Sequence, residues 1–207
     1  MFSSFLSKFR PDSVVSHTVD IDTYANEIEG LKEFLVEYSG ATFNNGLYRI
    51  HTIDSAKRWN LIVGDAFPEF KKRIMCFSFD WLGRQFALDS DRRNEKGQPL
   101  VLMMEPGTGE ALEIPATFIS FHNEELIHYT DAALAENFYS KWFKSSGRPL
   151  AINECVGYQV PLFLGGKDVI SNLEIIDIEV YWEICGQLFN KVKSLPPGTT
   201  VKKLSIS

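Results

Sequence analysis

Cysteine is scarce and unpatterned: Cys76, Cys155 and Cys185 are three in a chain of 207 residues. An odd number at long, irregular spacings fits neither a disulfide framework nor a zinc ribbon, and points to a reducing compartment. No apolar run approaches the roughly 18 residues that cross a bilayer. The stretch Met1 to Arg10 lacks the basic start and long apolar run of a signal peptide. A soluble, cytoplasmic protein is therefore expected. Basic charge is short as well, with 21 Lys and Arg against 27 Asp and Glu for a net charge of −6. A binder of nucleic acid or of an anionic membrane would need a strong local basic patch against that balance. Lys71-Lys72-Arg73 and Arg92-Arg93 are too short to form one, so neither direct nucleic-acid binding nor membrane binding is expected.

What is present describes a folded chain. Hydrophobic residues make up 44% and charged residues 23%, close to the globular average and far from the composition of disordered chains. The length suits one large domain or two small ones. Ile28, Leu31, Phe34, Leu35 and Tyr38 recur at helical spacing, which predicts a helix from Asp22, its cap, to Tyr38, with Gly30 as a weak point and Gly40 as the stop. Asn44-Asn45-Gly46 reads as a turn before a short strand, Leu47 to Ile50, and a second helical stretch spans Asp54 to Val63. Strands follow. Met75, Phe77, Phe79 and Trp81 share one face of a period-two pattern over Ile74 to Trp81, and after a turn at Leu82-Gly83 the segment Gln85 to Leu88 returns antiparallel. A polar stretch, Asp89 to Gln98, precedes a strand at Leu100 to Met104, a turn at Pro106 to Gly109 and a strand at Ala111 to Ile114.

Beyond Pro115 the pattern becomes helical, with a short helix near Phe118 to Leu126 and a longer one striped by Leu134, Phe138 and Trp142 and ended by Gly147. Val160 to Leu164 reads as a buried strand whose Pro161 sets it at an edge or marks a strand start, and Gly165-Gly166 as a turn. The clearest element runs from Asp177, a cap, to Val192, with Ile178, Tyr181, Trp182, Cys185, Leu188, Phe189 and Val192 along one face. Strands and helices mix without strict alternation, so the expected class is α+β, with a mainly antiparallel sheet, flanking helices and a helix-rich C-terminal unit.

Frames for catalysis are missing. There is no Gly-x-Ser-x-Gly elbow, and Gly165-Gly166-Lys167-Asp168 lacks the upstream glycine of a phosphate loop. Glu124 with Glu125, and Asp177 with Glu179, sit in no acid and base arrangement. His122 and His128 are six apart, which puts them on opposite faces of a helix, and both are read as surface histidines and not metal ligands. Cys155 falls in a less regular stretch that leaves exposure open, and the better reading is a free small hydrophobe, because unpaired cysteine is so often buried. No catalytic residue, cofactor or metal is expected, and the protein is not expected to be an enzyme.

Charge placement says more. No Lys or Arg occurs between Lys96 and Lys141, a span holding Glu105, Glu110, Glu113, Glu124, Glu125, Asp131 and Glu136. A second basic-free stretch holds Asp168, Glu174, Asp177, Glu179 and Glu183. Such faces keep a protein soluble, and they also suit a basic partner, because complementary potentials speed association.

Two stretches carry a resemblance. Leu31-Lys32-Glu33-Phe34-Leu35, Tyr38-Ser39-Gly40, Gly46 to Ile50 and Asp80 to Asp89 resemble the GAD-like domains allied to the SUKH immunity superfamily. Pro161 to Asp168, Asn172-Leu173-Glu174 and Asp177 to Trp182 are similar to the C-terminal domain of bacterial immunity proteins that neutralise type VI secretion DNase effectors. The resemblance implies residues 1–115 as a GAD-like α+β unit and 116–207 as the immunity C-terminal unit. It implies a non-enzymatic, cytoplasmic protein that binds a cognate toxin with a basic nuclease domain and blocks its active or DNA-binding site. It supplies no catalytic residue. Trp81 and Trp182 are then core anchors, and Gly165 and Gly166 shape a turn. Because a nuclease presents Lys and Arg to phosphates, carboxylates can stand in their place, and Asp168, Glu174, Glu179 and Glu183 are the partner-binding candidates. A stand-alone regulatory or small-ligand module is the alternative.

Overall fold

The computed structural model describes residues 1–12, 27–146, 148–196 and 199. It is an α+β fold built on one antiparallel sheet. In chain order come α1 (Ser3–Lys8), α2 (Leu31–Tyr38), β1 (Thr42–Phe43), β2 (Tyr48–Ile50) and α3 (Ile53–Ala66). Then follow β3 (Ile74–Asp80), β4 (Gln85–Arg93), β5 (Pro99–Glu105) and β6 (Glu110–Ile114). A helical run over 118–128, here α4, precedes α5 (Thr130–Leu134), α6 (Glu136–Ser146), β7 (Glu154–Tyr158), β8 (Leu173–Asp177) and α7 (Ile178–Val192). The six strands β1 to β6 lie side by side in sequence order, and β7 and β8 form a separate antiparallel pair.

Both faces of the large sheet are covered. Phe77, Phe86, Leu88, Val101 and Met103 point to a core shared with Phe5, Phe34, Phe118, Phe121, Leu134 and Trp142. Cys76, Phe79, Ala87, Leu102 and Met104 point the other way, to Trp59, Val63, Phe67, Trp182 and Cys185. The alternation along β4 and β5 is the period-two geometry of a strand, here buried on both sides. Trp81 and Trp182 are core residues, at 0% and 1% exposure. All three cysteines are buried and unpaired, Cys155 among them as the free small hydrophobe its sequence reading expects.

Several expectations need correction. Phe79 does not share a face with Phe77: the β3–β4 register shifts between Cys76 and Ser78, and the extra residue of the bulge reverses the parity of Phe79, while Trp81, beyond the end of β3, packs in the same core as Phe77. Of the helix expected from Asp22 to Tyr38, the stretch Leu31–Tyr38 is one helix, and Gly30, at φ 78°, is a left-handed turn residue ahead of it, so the described part is not continuous through Gly30. Asp22 itself, like Gly147, lies outside the described residues. The polar stretch from Asp89 is not a separator, since β4 runs on to Arg93, with Asp89 buried and held by Arg73 through two nitrogens. The stripe through Leu134, Phe138 and Trp142 crosses two helices, broken at Ala135 with φ 50°.

Val160 to Leu164 is not a strand. The backbone groups of Val160 bond to the side chain of Asn172, Leu162 N donates to Gly107 O at 2.8 Å, and Leu162–Leu164 closes as a 3-10 turn. Its polar groups are satisfied without a ladder. The strands of this region are β7 and β8, paired from Glu154↔Asp177 to Tyr158↔Leu173. Asp177 does cap α7, accepting from the backbone N–H of Glu179 and Val180.

His122 is buried, not on the surface; His128 is exposed. The His122 ring sits among Phe2, Phe5, Phe34, Phe77, Phe118 and Phe121. Its Nδ1 donates to Phe118 O at 2.8 Å and its Nε2 meets the Tyr48 hydroxyl at 3.0 Å. A π turn at Phe121–Glu125 turns the ring inward, which six-residue helical spacing does not foresee.

Candidate functional site

A cleft of about 420 Å³ opens where the end of β5, the α5–α6 break, the end of β7 and the loop before β8 meet. Each wall is held by a specific contact. Asp80, fully buried, receives the backbone N–H of Leu82 and Arg84 at 3.0 Å each and the Arg84 Nε at 2.6 Å. Arg84 Nη2 also donates to Ala133 O at 3.0 Å, and the Trp81 indole N–H donates to Leu134 O at 2.9 Å. The break at Ala135 leaves those helix-end carbonyls without helical partners, and these two side chains supply them. Asp131 accepts from the Asn137 N–H across the break at 2.8 Å. Tyr158, packed against Gly107 so closely that a Cβ there would lie 2.7 Å from its ring, donates its hydroxyl to Asp168 at 2.7 Å.

The resulting surface is acidic. Glu105, Asp131 and Asp168 line the cleft with Lys141 and Arg84, and Arg84 is already matched by Asp80. Burial pushes the Glu105 carboxyl above the usual carboxylate range; Arg84 opposes that, and Asp80, Glu110 and Asp168 add to it by like-charge repulsion. Carboxylates crowded in this way gain from an incoming cation. Both basic-free stretches contribute, Glu105 and Asp131 from one and Asp168 from the other.

The four sequence candidates do not form one cluster. Asp168 is exposed on the cleft wall. Glu174 is exposed on β8, opposite Gly157. Glu179, in the first turn of α7, is half-buried and clasped by Arg58 of α3 through Nε and Nη2. Glu183, one turn on, is exposed and adds to the field at Arg58. Glu105 and Asp131 were visible only as members of a charge run. Nothing in the sequence pairs them with Asp168, more than 30 residues away in the chain.

A second, apolar cavity of about 50 Å³ lies under α3, lined by His51, Asn60, Met75 and Cys76 among others. That is far below the roughly 300 Å³ at which small-molecule sites begin. Among the described residues no group of three or more His, Cys, Asp or Glu is placed to hold a metal ion, and no helix is long and apolar enough to cross a membrane.

No curated protein matches the chain. Among solved structures it is similar to the crystal structure of Atu4351 from Agrobacterium tumefaciens, at 16% identity and a TM-score of 0.64, covering 90% of this chain and 89% of that one. At that identity the likeness shows the fold. In sequence, residues 117–189, the stretch from the cap of α4 to the last turns of α7, match the family described as T6SS immunity protein Tdi1, C-terminal.

Proposed function

We propose that this chain is an immunity protein that binds a cognate type VI secretion toxin in the cytoplasm and neutralises it without catalysis. The toxin is a DNase whose basic active or DNA-binding surface the protein occludes. In this reading residues 1–115 are a GAD-like, SUKH-allied unit and 116–207 the immunity C-terminal unit. The family match over 117–189 supports the class. The observation that carries the mode of binding is the convergence of Glu105, Asp131 and Asp168 on one cleft. Nuclease surfaces present Lys and Arg for a phosphate backbone, and carboxylates held on a rigid framework meet those cations with little ordering cost. Glu174, Glu179 and Glu183 extend the acidic surface beyond the cleft.

The test is coexpression with the toxin encoded by the neighbouring gene. Wild type should restore growth and copurify with it, and Asp168→Asn combined with Asp131→Asn, which removes both charges and keeps an acceptor for the Tyr158 hydroxyl and the Asn137 N–H, should bind it at least tenfold more weakly while melting within a few degrees of wild type. A wild-type chain that neither binds nor protects overturns the reading. The stand-alone ligand module keeps one supporting fact, since about 420 Å³ is within the size range of small-molecule sites.

A further inference from the structure

The two ends of the large sheet are finished differently. At β1 the N-terminal segment closes the edge: Pro11 bridges to Phe43, Asp12 N donates to Thr42 O at 2.8 Å, and Asn44 N donates to Arg10 O at 3.0 Å. At the other end β6 pairs with β5 alone among the described residues. Glu110, Leu112 and Glu113 are exposed, with Leu112 at 43%. A strand with one unpaired side offers a row of N–H and C=O groups to another chain.

The charge on this edge has one sign. Glu113 is answered by Arg92 at 3.3 Å. Glu110 stands directly opposite Glu105 in the β5–β6 register, an arrangement in which like charges destabilise the pair. No ion pair within 4.0 Å reaches Glu105 or Glu110 among the described residues, and Arg84, paired with Asp80, acts on Glu105 only through its field. An antiparallel second copy along β6 would bring two sets of Glu110 and Glu113 into one seam, which disfavours self-pairing. A strand bearing lysine or arginine would relieve the Glu105 and Glu110 repulsion and complete the ladder at once.

We propose that the open edge of β6 takes up an extended, lysine- or arginine-bearing segment of a partner protein as a seventh strand, with a basic side chain set against Glu110 and Glu105. This goes beyond the cleft reading, because it invokes main-chain pairing and holds whatever the partner's own activity is. β-Augmentation of this kind draws affinity from the backbone and selectivity from alternate side chains.

The experiment uses isotope-labelled full-length protein and two synthetic octapeptides, one alternating lysine with threonine and one alternating glutamate with threonine. The lysine peptide should shift and protect the amides of Glu110–Ile114 and leave those of β1 unchanged, and the glutamate peptide should do neither. Glu110→Lys, or Glu110→Gln if the reversal fails to fold, should weaken the lysine peptide about tenfold, as expected for a rim charge facing a complementary chain. Absence of β6 perturbation at millimolar peptide, perturbation centred elsewhere, or a dimer whose β6 amides are protected before peptide is added would each overturn the proposal. Because no toxin enters the measurement, its failure leaves the immunity reading untouched, and a failed growth rescue leaves this one untouched.

Discussion

The indole Nε1 of Trp182 on α7 donates to the carbonyl of Gly83 in the β3–β4 turn at 2.7 Å, across 99 positions of sequence. The same ring meets Trp59 and Phe67 edge-on, so one side chain joins α7, α3 and the centre of the sheet. Trp182→Ala should cost about 3–5 kcal/mol, the range for emptying a large core site. Trp182→Phe should cost less, because it keeps much of the packing but leaves the Gly83 carbonyl unpaired. Chemical denaturation measures both, and an unchanged midpoint for Trp182→Ala would contradict the placement.

Arg49 is fully buried on β2 yet bonds only to carbonyls: Nη1 to Ala151 O at 3.1 Å and Glu154 O at 2.5 Å, and Nη2 to Asp80 O at 2.8 Å. Its guanidinium lies 4.3 Å from the Phe79 ring centre. Burial pulls its pKa down to about 10, so it stays charged at neutral pH. Arg49 fastens β7 to the sheet through three acceptors that one ammonium cannot span. Arg49→Lys should destabilise by roughly 2 kcal/mol and Arg49→Ala by about 3–5 kcal/mol, since buried acceptors lose their partner. Hydrogen exchange should rise first in Glu154–Tyr158.

Two buried histidines set the acid limit. Burial lowers His51 to about 4 and His122 to about 3, against an ordinary 6.5. Between those values and 6.5 the unfolded chain binds protons that the folded chain does not, so stability is full above pH 6.5 and falls as pH drops. Each ring should contribute a slope of up to roughly 1 kcal/mol per pH unit between pH 6 and 5. Urea titrations at those two pH values should show the loss, and His122→Gln should remove about half of the slope while lowering stability at pH 7. A slope that His122→Gln leaves unchanged would count against this account.

The Arg58 and Glu179 pair lies at the surface, with side-chain exposures of 65% and 35%, and pairs screened by water in this way add little to stability. Its effect should appear in kinetics. Arg58→Ala exposes the Glu179 charge, and should speed association with a basic partner while leaving the melting temperature within a few degrees. Glu179→Lys with Glu183→Lys should slow it, and added salt should weaken the wild-type complex more than the reversed one. Stopped-flow mixing at two salt concentrations separates the cases; equal rates for all three chains would place the interface elsewhere.

Much of the local structure was legible. Asn44-Asn45-Gly46 is a turn with three successive positive φ angles, 52°, 60° and 87°, values that asparagine and glycine tolerate best. The helix after Asp177 was readable because its apolar stripe and its cap lie within 16 consecutive residues. β7 is hidden in the sequence pattern. Gly157 interrupts its pattern, and a Cβ there would lie 2.8 Å from the Tyr181 ring, so the glycine marks close approach and not a break. The acidic surface was legible as two runs but not as a place.

By itself the sequence determined the α+β class, the cap and buried face of α7, the core role of Trp81 and Trp182, and the two stretches without Lys or Arg, because each depends on residues within one or two turns or on composition. Only the tertiary structure decided that Phe79 lies in the core that holds Trp182, that His122 is buried, that Val160 bonds to Asn172, and that Glu105, Asp131 and Asp168 share a cleft. Those outcomes depend on which distant groups satisfy a backbone or a side chain once water is excluded. A bulge, a π turn and a broken helix each satisfy their polar groups through residues that local periodicity does not connect.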